Sequence, residues 1–319
     1  MKGRIPLLFM LCALCVLCAL VFAACGGATT EAEEGTSPAG SGAEFPVTID
    51  TDLGRVEIPQ RPERLVSLSP TATEMLYAVG AGDQVVAVDD QSNYPADAPT
   101  TELSEFEPNV EAIASYDPDL VVISGGTPEL KRALGRIDIP MLQQPAATTI
   151  DDTYAQIEQL GAVTGNVAEA EAVVADMQER IDELVSGIGD EARGLTYYHE
   201  LDDTYFTATS ETFIGQVYSF LGLENIADEA KGSGTGYPQL SAEYIVEADP
   251  DLVFLADTKC CGQSAETVAS RPGWDQIAAV REGGVVQLDD DIASRWGPRV
   301  VDFLEVVADA VEKLLSARG

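Results

Sequence analysis

Two aromatic side chains occupy matched places in the sequence, each a short distance before a glutamate. Phe106 lies five residues before Glu111, and Tyr237 lies six residues before Glu243. A loop aromatic often does no more than cover the local core, but two rings that face each other across a cleft suit a large, flat, partly apolar ligand. The matched placement favours the second interpretation and makes Phe106 and Tyr237 candidate ligand-binding residues.

The two glutamates lie within a repeated segment. The stretch VEAIASYDPDLVVIS, residues 110–124, aligns without a gap with AEYIVEADPDLVFLA, residues 242–256. Each copy predicts a short helix, a turn at the proline and a buried strand. The shared run DPDLV is also an ordinary helix-to-strand connector, yet two copies with a carboxylate at the same place favour two similar lobes. Asn109 and Ser241 are the predicted N-caps, so each glutamate falls in a first turn.

Between the two copies lies the longest helical pattern of the chain, from about 166 to 186. Its apolar residues recur at spacings of three and four, which places them on one helical face. They are Val167, Ala170, Val174, Met177, Ile181, Leu184 and Ile188. Asn166 and Glu169 predict a capping box, and Gly187 and Gly189 predict the end. Such a helix would span roughly 30 Å, enough to reach from one lobe to another.

Alternating strand and helix patterns flank this helix on both sides, which is typical of mostly parallel sheets. The sequence therefore predicts an α/β fold of two Rossmann-like lobes joined by a single long helix, with a ligand cleft between the lobes. The expected boundaries are an N-terminal lobe with a leading β-hairpin at 45–150, a bridging helical segment at 151–190 and a C-terminal lobe at 191–319.

Side chains for metal or nucleophilic catalysis are scarce. His199 is the only histidine and lies inside the strand-like YYHEL, where a packed residue is expected. One histidine cannot form the clustered site of a zinc or manganese receptor. A hydrolase of extracellular polymers would need paired carboxylates in one cleft, whereas the two glutamates above fall at the tips of the lobes. We therefore expect no enzyme activity, no metal site and no resident cofactor.

Cys260 and Cys261 are adjacent in TKCCGQS, just after the second repeat strand and so near the expected cleft. Outside the cell such a pair is either a vicinal disulfide or two free thiols, and we favour the disulfide. No role for it follows from the sequence alone.

Residues 1–24 have the features of a secretory signal peptide, with a basic tip and an apolar run that ends in small residues. Ala23 and Ala24 before Cys25 resemble the bacterial lipobox, in which the cysteine becomes the lipidated first residue. Signal cleavage nearby without a lipid is the alternative. The polar segment at 25–44 predicts a disordered tether behind that anchor.

The chain is strongly acidic, with 54 acids against 18 bases. Lys2 and Arg4 would leave with the signal, so the net charge would fall from −36 to −38. Nucleic acid is excluded as a partner for such a chain, and the acidity favours solubility outside the cell.

Several segments resemble the vitamin B12, heme and ferric siderophore family of substrate-binding proteins of ABC importers, over nearly all of residues 46–315. They are RPERLVSLSPTATEMLYAVG, NYP at 93–95, PNVEAIASYDPDLVV, YPQLSAEYI and GPRVVDFLEVVA. The resemblance implies two α/β lobes joined by one rigid helix, with the ligand in the cleft and little closure. It also implies an extracytoplasmic monomer, anchored in the cell membrane by lipid, that works with a permease dimer and its ATPase.

Within the family the segments are most similar to vitamin B12 binding proteins. There, tryptophans from the two lobes clamp the corrin, and the matching positions here hold Phe106 and Tyr237. Asp291 and Arg295 match polar residues that face the cleft, and Trp296 lies one step beyond. An ion pair with core packing is the alternative role for these last three residues.

The family's matching glutamates dock onto permease arginines, which assigns that role to Glu111 and Glu243. Cobalamin is the expected ligand. Heme or a ferric siderophore is the alternative, with Tyr198, His199 or Tyr237 in contact with the metal. An extracellular sensor or adhesin without a transport role is the alternative class.

Overall fold

A β-hairpin opens the part of the chain that the computed structural model describes, residues 43–319. β1 (Val47–Ile49) pairs antiparallel with β2 (Val56–Ile58), and Gly54 adopts a left-handed φ of 88° in the turn between them. The predicted signal peptide, Cys25 and the predicted tether as far as residue 42 lie outside the described residues.

The N-terminal lobe is built on a four-stranded parallel sheet. Its strands are β3 (Leu65–Leu68), β4 (Val85–Val88), β5 (Leu120–Ile123) and β6 (Met141–Gln143), in the order β4-β3-β5-β6. Its helices are α1 (Pro70–Ala78), α2 (Val110–Ala114) and α3 (Pro128–Gly135). β3 and β5 are buried along their whole length, because a central parallel strand is covered on both faces.

Two helices connect the lobes. α4 (Ile150–Thr164) and α5 (Val167–Ile188) pack against each other across a break at Gly165, which has a φ of 80°. A side chain at Gly161 would collide with Ala170, so glycine is what allows this close approach. α5 also packs against α1 of the N-terminal lobe and against the last helix of the C-terminal lobe. The predicted long helix between the lobes is therefore confirmed.

The buried face of α5 is the predicted one, but the predicted capping box is wrong. Ala170, Val174, Met177, Ile181 and Ile188 are buried, Gly187 lies inside the helix, and Gly189 follows its end. The side chain of Asn166 makes no hydrogen bond to the first-turn amides. Its Oδ1 instead accepts a bond of 3.3 Å from Arg61 Nη2, while Arg61 Nε donates to the Thr164 carbonyl at 2.7 Å. A tertiary contact thus replaces the local cap.

The C-terminal lobe repeats the plan of the first. Its strands are β7 (Thr196–Glu200), β8 (Glu224–Asn225), β9 (Leu252–Leu255) and β10 (Val285–Gln287), in the order β10-β9-β7-β8, all parallel. Its helices are α6 (Phe213–Ser219), α7 (Ala242–Ala248), α8 (Ala265–Ala269), α9 (Ala278–Glu282), α10 (Asp290–Ser294) and α11 (Val300–Arg318). Read from β8, the second, first, third and fourth strands of this lobe follow one another across the sheet. The N-terminal lobe has the same order when its sheet is read from β4.

The repeat seen in the sequence is a repeat in the structure. Asp117 and Asp249, the first aspartates of the two DPDLV runs, both adopt a left-handed backbone, with φ of 49° and 46°. The second aspartates, Asp119 and Asp251, each accept backbone N–H bonds at the start of the neighbouring strand, from Arg64 in one lobe and Thr196 in the other. The two copies are therefore equivalent parts of two similar lobes.

One apolar core runs through both lobes and the helices between them, and each lobe also has a smaller core of its own. The shared core includes Leu65 and Val122 of the first sheet, Met177 of α5 and Phe254 of the second sheet. Large movements of one lobe against the other would expose part of this core to water, which costs free energy in proportion to the apolar area exposed. Within residues 43–319 no helix is both long and apolar enough to cross a membrane.

Candidate ligand cleft between the lobes

The carboxyl ends of the two sheets meet between the lobes. Asn93, which follows β4, donates from Nδ2 to Asp291 Oδ2 in α10 at 3.1 Å. Arg295, at the end of α10, donates from Nη2 to the Gln91 carbonyl at 3.1 Å. In open α/β sheets ligands bind outside the carboxyl ends of the strands. We call the region bordered by these strand ends the interlobe cleft.

A buried group of charges joins the lobes at one end of this cleft. Glu74 of α1 is 3% exposed and accepts from Arg295 Nη1 at 2.8 Å. It also accepts two bonds from Arg299, Nε to Oε2 at 2.9 Å and Nη2 to Oε1 at 2.5 Å. Asp291 completes the group through Arg295 Nη2, at 3.0 Å. We call Glu74, Asp291, Arg295 and Arg299 the Glu74 cluster. Its charges are paired and hydrogen-bonded, as buried ions must be.

Asp291 connects this cluster to the loop that follows β9. Lys259 Nζ donates to Asp291 Oδ2 at 2.7 Å and to Asp289 Oδ1 at 2.7 Å. Partial burial opposes ionisation of Asp291, but the hydrogen bond from Lys259 and the charge of Arg295 outweigh it and hold its pKa below the usual value. Asp291 is therefore ionised at neutral pH.

The two aromatics predicted from the sequence are exposed. Phe106, in the loop before α2, is 83% exposed, and Tyr237, in the loop before α7, is 49% exposed. Covering the local core is therefore not the role of Phe106. Each loop leads into a helix that begins on the side where the strands end, so both rings lie on the cleft side of their lobes.

Two further exposed aromatics on this side were missed by the sequence reasoning. Tyr94 follows β4 and is 45% exposed, with the Arg299 guanidinium 4.1 Å from its ring centre. Phe206 follows β7, is 39% exposed, and forms a bridge to Gln239 beside Tyr237. The segments NYP and DDTYFTA contained these residues, but nothing in them indicated that the rings would be exposed.

Glu111 and Glu243 occupy equivalent exposed positions in the two lobes. The predicted caps are confirmed, because Asn109 Oδ1 accepts from the Glu111 amide at 2.9 Å and Ser241 Oγ accepts from the Tyr244 amide at 3.2 Å. Among the described residues neither glutamate forms an ion pair. Each carboxylate is free to meet a cation from outside.

Arg295 and Trp296 make the contacts expected of ion pairing and core packing. Arg295 is 9% exposed and engaged by the Glu74 cluster. Trp296 is partly buried against the main core, and its Nε1 donates to Gln156 Oε1 at 3.0 Å. Asp291 keeps about a quarter of its side chain exposed and is more accessible than Arg295.

A buried acidic pair lies under the C-terminal side of the cleft. Glu200, at the end of β7, accepts two bonds of 2.6 Å from Arg271, which lies 4.5 Å from the Trp274 ring centre. Asp257, two residues after β9, is 0% exposed, and neither of its carboxylate oxygens has a hydrogen-bond partner. Burial, and next the charge of Glu200, raises the pKa of Asp257 to about 7. No sequence signal identified this pair.

The adjacent cysteines lie at the same edge. Cys260 and Cys261 are exposed free cysteines, with Sγ atoms 2.6 Å apart. Contact with Cys261, followed by burial and nearby acids, raises the pKa of Cys260 to about 12. The predicted disulfide stays a prediction.

Two residues proposed as contacts to a ligand's metal are in the core. Tyr198 and His199 are both 0% exposed, and His199 Nδ1 lies 2.7 Å from the Tyr218 hydroxyl. Burial lowers the pKa of His199 to about 3, so the imidazole is neutral. The expectation of a packed strand residue is confirmed, and the suggested contact of Tyr198 or His199 with a metal in the cleft is wrong. Among residues 43–319 no group of three or more His, Cys, Asp or Glu side chains could hold a metal ion.

Comparison with known proteins agrees with this architecture. Residues 65–292 match the family described as periplasmic binding protein. The chain is 31% identical over 308 residues to the uncharacterized ABC transporter substrate-binding lipoprotein YvrC of Bacillus subtilis, covering 93% of this chain and 94% of that protein. It is 33% identical over 279 residues to a cobalamin-binding protein of Halobacterium salinarum, covering 83% and 74%.

A solved structure shows the same fold. The crystal structure of the periplasmic vitamin B12 binding protein BtuF of Vibrio cholerae matches with a TM-score of 0.63 and 25% identity, over 82% of this chain and 99% of that one. The chain belongs to the periplasmic binding protein family, which consists of substrate-binding proteins and not enzymes. Its role is therefore ligand binding for transport, with a permease and an ATPase as partners.

Proposed function

We propose that this protein is an extracytoplasmic lipoprotein, anchored through Cys25, that binds cobalamin in the interlobe cleft and delivers it to an ABC permease. The similarity to a cobalamin-binding protein, at 33% identity, supports this choice of ligand. The similarity to a substrate-binding lipoprotein supports the lipid anchor.

The observation that carries the proposal is the pair of exposed rings, one on each lobe. Phe106 is 83% exposed and Tyr237 is about half exposed, and both lie on the cleft side of their lobes. Exposed rings of this size have most to gain from a partner, since each aromatic side chain can bury about 150–250 Å². A corrin offers a broad, partly apolar ring system with two faces, and the rings would stack against it.

Charge at the cleft favours a ligand that carries amides rather than carboxylates. The cations that border the cleft, Lys259, Arg271, Arg295 and Arg299, are each paired with an aspartate or glutamate of the chain. A heme propionate or an anionic siderophore would have to take one of these cations from its partner. The amides of a corrin can donate to the carboxylates at Asp289 and Asp291 without disturbing the pairs.

Delivery would use Glu111 and Glu243. Equivalent lobes place the two carboxylates at equivalent positions, and a permease built from two like subunits would present two equivalent basic patches. Such complementary charges mainly set the encounter and the relative orientation of two proteins.

The experiment is a visible absorption spectrum of the purified chain after incubation with cyanocobalamin, hemin or a ferric siderophore and removal of the free ligand. The proposal predicts that the protein retains cyanocobalamin in a one-to-one ratio. Retention of hemin or the siderophore in its place would overturn the ligand assignment. Retention of none would favour the sensor or adhesin class.

A further inference from the structure

The loop after β9 carries the two adjacent cysteines and is bound through its backbone to the carboxylate of Asp290. The amides of Thr258, Lys259 and Cys260 donate to that carboxylate at 2.9, 2.9 and 3.0 Å. Three successive amides that converge on one anion form a well-defined nest, so the backbone of this loop is fixed by α10.

The same loop is one contact away from the other lobe. Lys259 binds Asp291, and Asp291 accepts from Asn93 of the N-terminal lobe through the same Oδ2. A change in the path of the backbone at Cys260 would therefore move Lys259 and alter a contact between the lobes.

We propose that Cys260 and Cys261 form a reversible dithiol–disulfide couple whose state sets the contact of Lys259 with Asp291 and so the contact between the lobes. The oxidant is a low-molecular-weight or protein disulfide. The thiolate of one cysteine attacks it to give a mixed disulfide and one thiol. The second cysteine then attacks the first and releases the second thiol. In total, two thiols lose two hydrogens and one external disulfide is reduced to two thiols.

Closing this bond must move the backbone. Adjacent Cα atoms are about 3.8 Å apart across a trans peptide, whereas disulfides usually need about 4.4–6.8 Å between Cα atoms. The peptide between the two cysteines therefore has to distort. The amide of Cys261 donates to the Asp257 carbonyl and that of Cys260 to the Asp290 carboxylate, so both of these bonds would be disturbed.

The surroundings suit a couple that changes slowly. Substrate-binding homologues act outside the cytoplasm, where disulfides persist. The raised pKa of Cys260 keeps thiolate scarce at neutral pH, so oxidation should be faster in alkaline solution. A distorted disulfide is also more easily reduced than a relaxed one, which favours reversibility.

The test starts with the chemical step, using the full chain and oxidised glutathione at pH 8.5. Trypsin cleaves after Lys259 and Arg281, and the peptide between these sites contains both cysteines and no others. We expect this peptide to lose two hydrogens without gaining glutathione, and to recover them after treatment with a phosphine. A persistent glutathione adduct, or a disulfide between two chains, would overturn the couple.

The structural consequence is read by hydrogen exchange in residues 89–95 and 289–295. Oxidation should speed exchange there in the wild type and leave it unchanged in Cys260→Ser and Cys261→Ser. Equal exchange in both redox states would overturn the link to the lobes.

A third measurement rests on the proposed function. The affinity for cyanocobalamin should differ several-fold between the oxidised and reduced wild type and not in the two serine variants. Absence of cobalamin binding, together with the expected mass and exchange results, would contradict only the ligand. Equal affinity in both states would contradict the control of the cleft by the couple.

Discussion

Glu74 in the N-terminal lobe and Arg299 in the C-terminal lobe form a two-point ion pair, with Nε–Oε2 at 2.9 Å and Nη2–Oε1 at 2.5 Å. The side chains are only 2% and 16% exposed, and Arg295 binds the same carboxylate. The pair lies across the lobe boundary, so it stabilises one relative position of the lobes.

Glu74→Gln should therefore destabilise the protein strongly. The change leaves the largely buried Arg299 guanidinium without its carboxylate and leaves Arg295 with Asp291 alone. Removing one partner of a buried pair costs about 3 kcal/mol or more. Thermal unfolding should show a melting temperature lower by about 6 °C or more for a chain of this size. The matched control is Glu129→Gln, which removes an exposed i,i+3 pair with Arg132 and should change stability by less than about 1 kcal/mol. Equal effects of the two changes would show that the Glu74 cluster does not hold the lobes.

Asp257 should make the stability depend on pH. Burial raises its folded pKa to about 7, whereas the pKa of an aspartate in the unfolded chain is about 3.9. Between these values the folded state binds a proton that the unfolded chain has lost, so the free energy of unfolding falls as the pH rises through that window. Asp257→Asn should remove this loss and melt several degrees above the wild type at pH 8.

At pH 4.5 the Asp257→Asn variant and the wild type should melt at similar temperatures, since the wild-type carboxyl is then protonated in the fold. The control is Asp275→Asn, at an exposed aspartate of the same lobe. It should change the melting temperature by the same amount at pH 4.5 and at pH 8. A variant that is less stable than the wild type at pH 8 would contradict a buried acid with a raised pKa.

Glu111→Arg combined with Glu243→Arg should abolish cobalamin uptake by cells. Both side chains are exposed and unpaired within the described residues, so ligand affinity and melting temperature should hardly change. The control is Glu247→Arg in the same helix as Glu243, which should leave uptake intact. Uptake that survives the double reversal would contradict docking, and lost ligand binding would place the glutamates in the cleft instead.

Cys25→Ser should release the protein from the membrane or stop its processing. The cysteine follows Ala23 and Ala24 and precedes a polar segment, which is the pattern of lipid attachment. Fractionation of cells that make each form gives the answer, with Cys261→Ser as the control that should stay in the membrane fraction. A Cys25→Ser protein that is still membrane-bound and normally processed would show that the anchor lies elsewhere.

Local patterns predicted much of this fold. The DPDLV runs predicted β5 and β9 because a buried parallel strand needs a continuous apolar segment, and the apolar spacing of α5 predicted its buried face. The caps at Asn109 and Ser241 depend only on neighbouring residues and were predicted correctly.

Contacts between distant residues were not predictable in this way. Glu74 and Arg299 are separated by 225 positions, and nothing near either residue indicates the other. Asn166 failed as a side-chain cap because Arg61, 105 positions away, takes its oxygen. The raised pKa of Asp257 likewise arises from burial by several elements together.

The most direct test of cobalamin binding between the lobes is a calorimetric titration of cyanocobalamin into the wild type, Phe106→Ala, Tyr237→Ala and the double variant. Loss of a stacked ring costs about 0.5 to 1.5 kcal/mol beyond the buried area, so each single change should weaken binding at least several-fold and the double change should weaken it further. Val306→Ala, an exposed apolar residue on α11, is the control and should bind as the wild type does. The predicted result is one-to-one binding by the wild type, weaker binding by each single variant and the weakest binding by the double variant. Unchanged affinity in the double variant, or no binding by the wild type, would contradict the account.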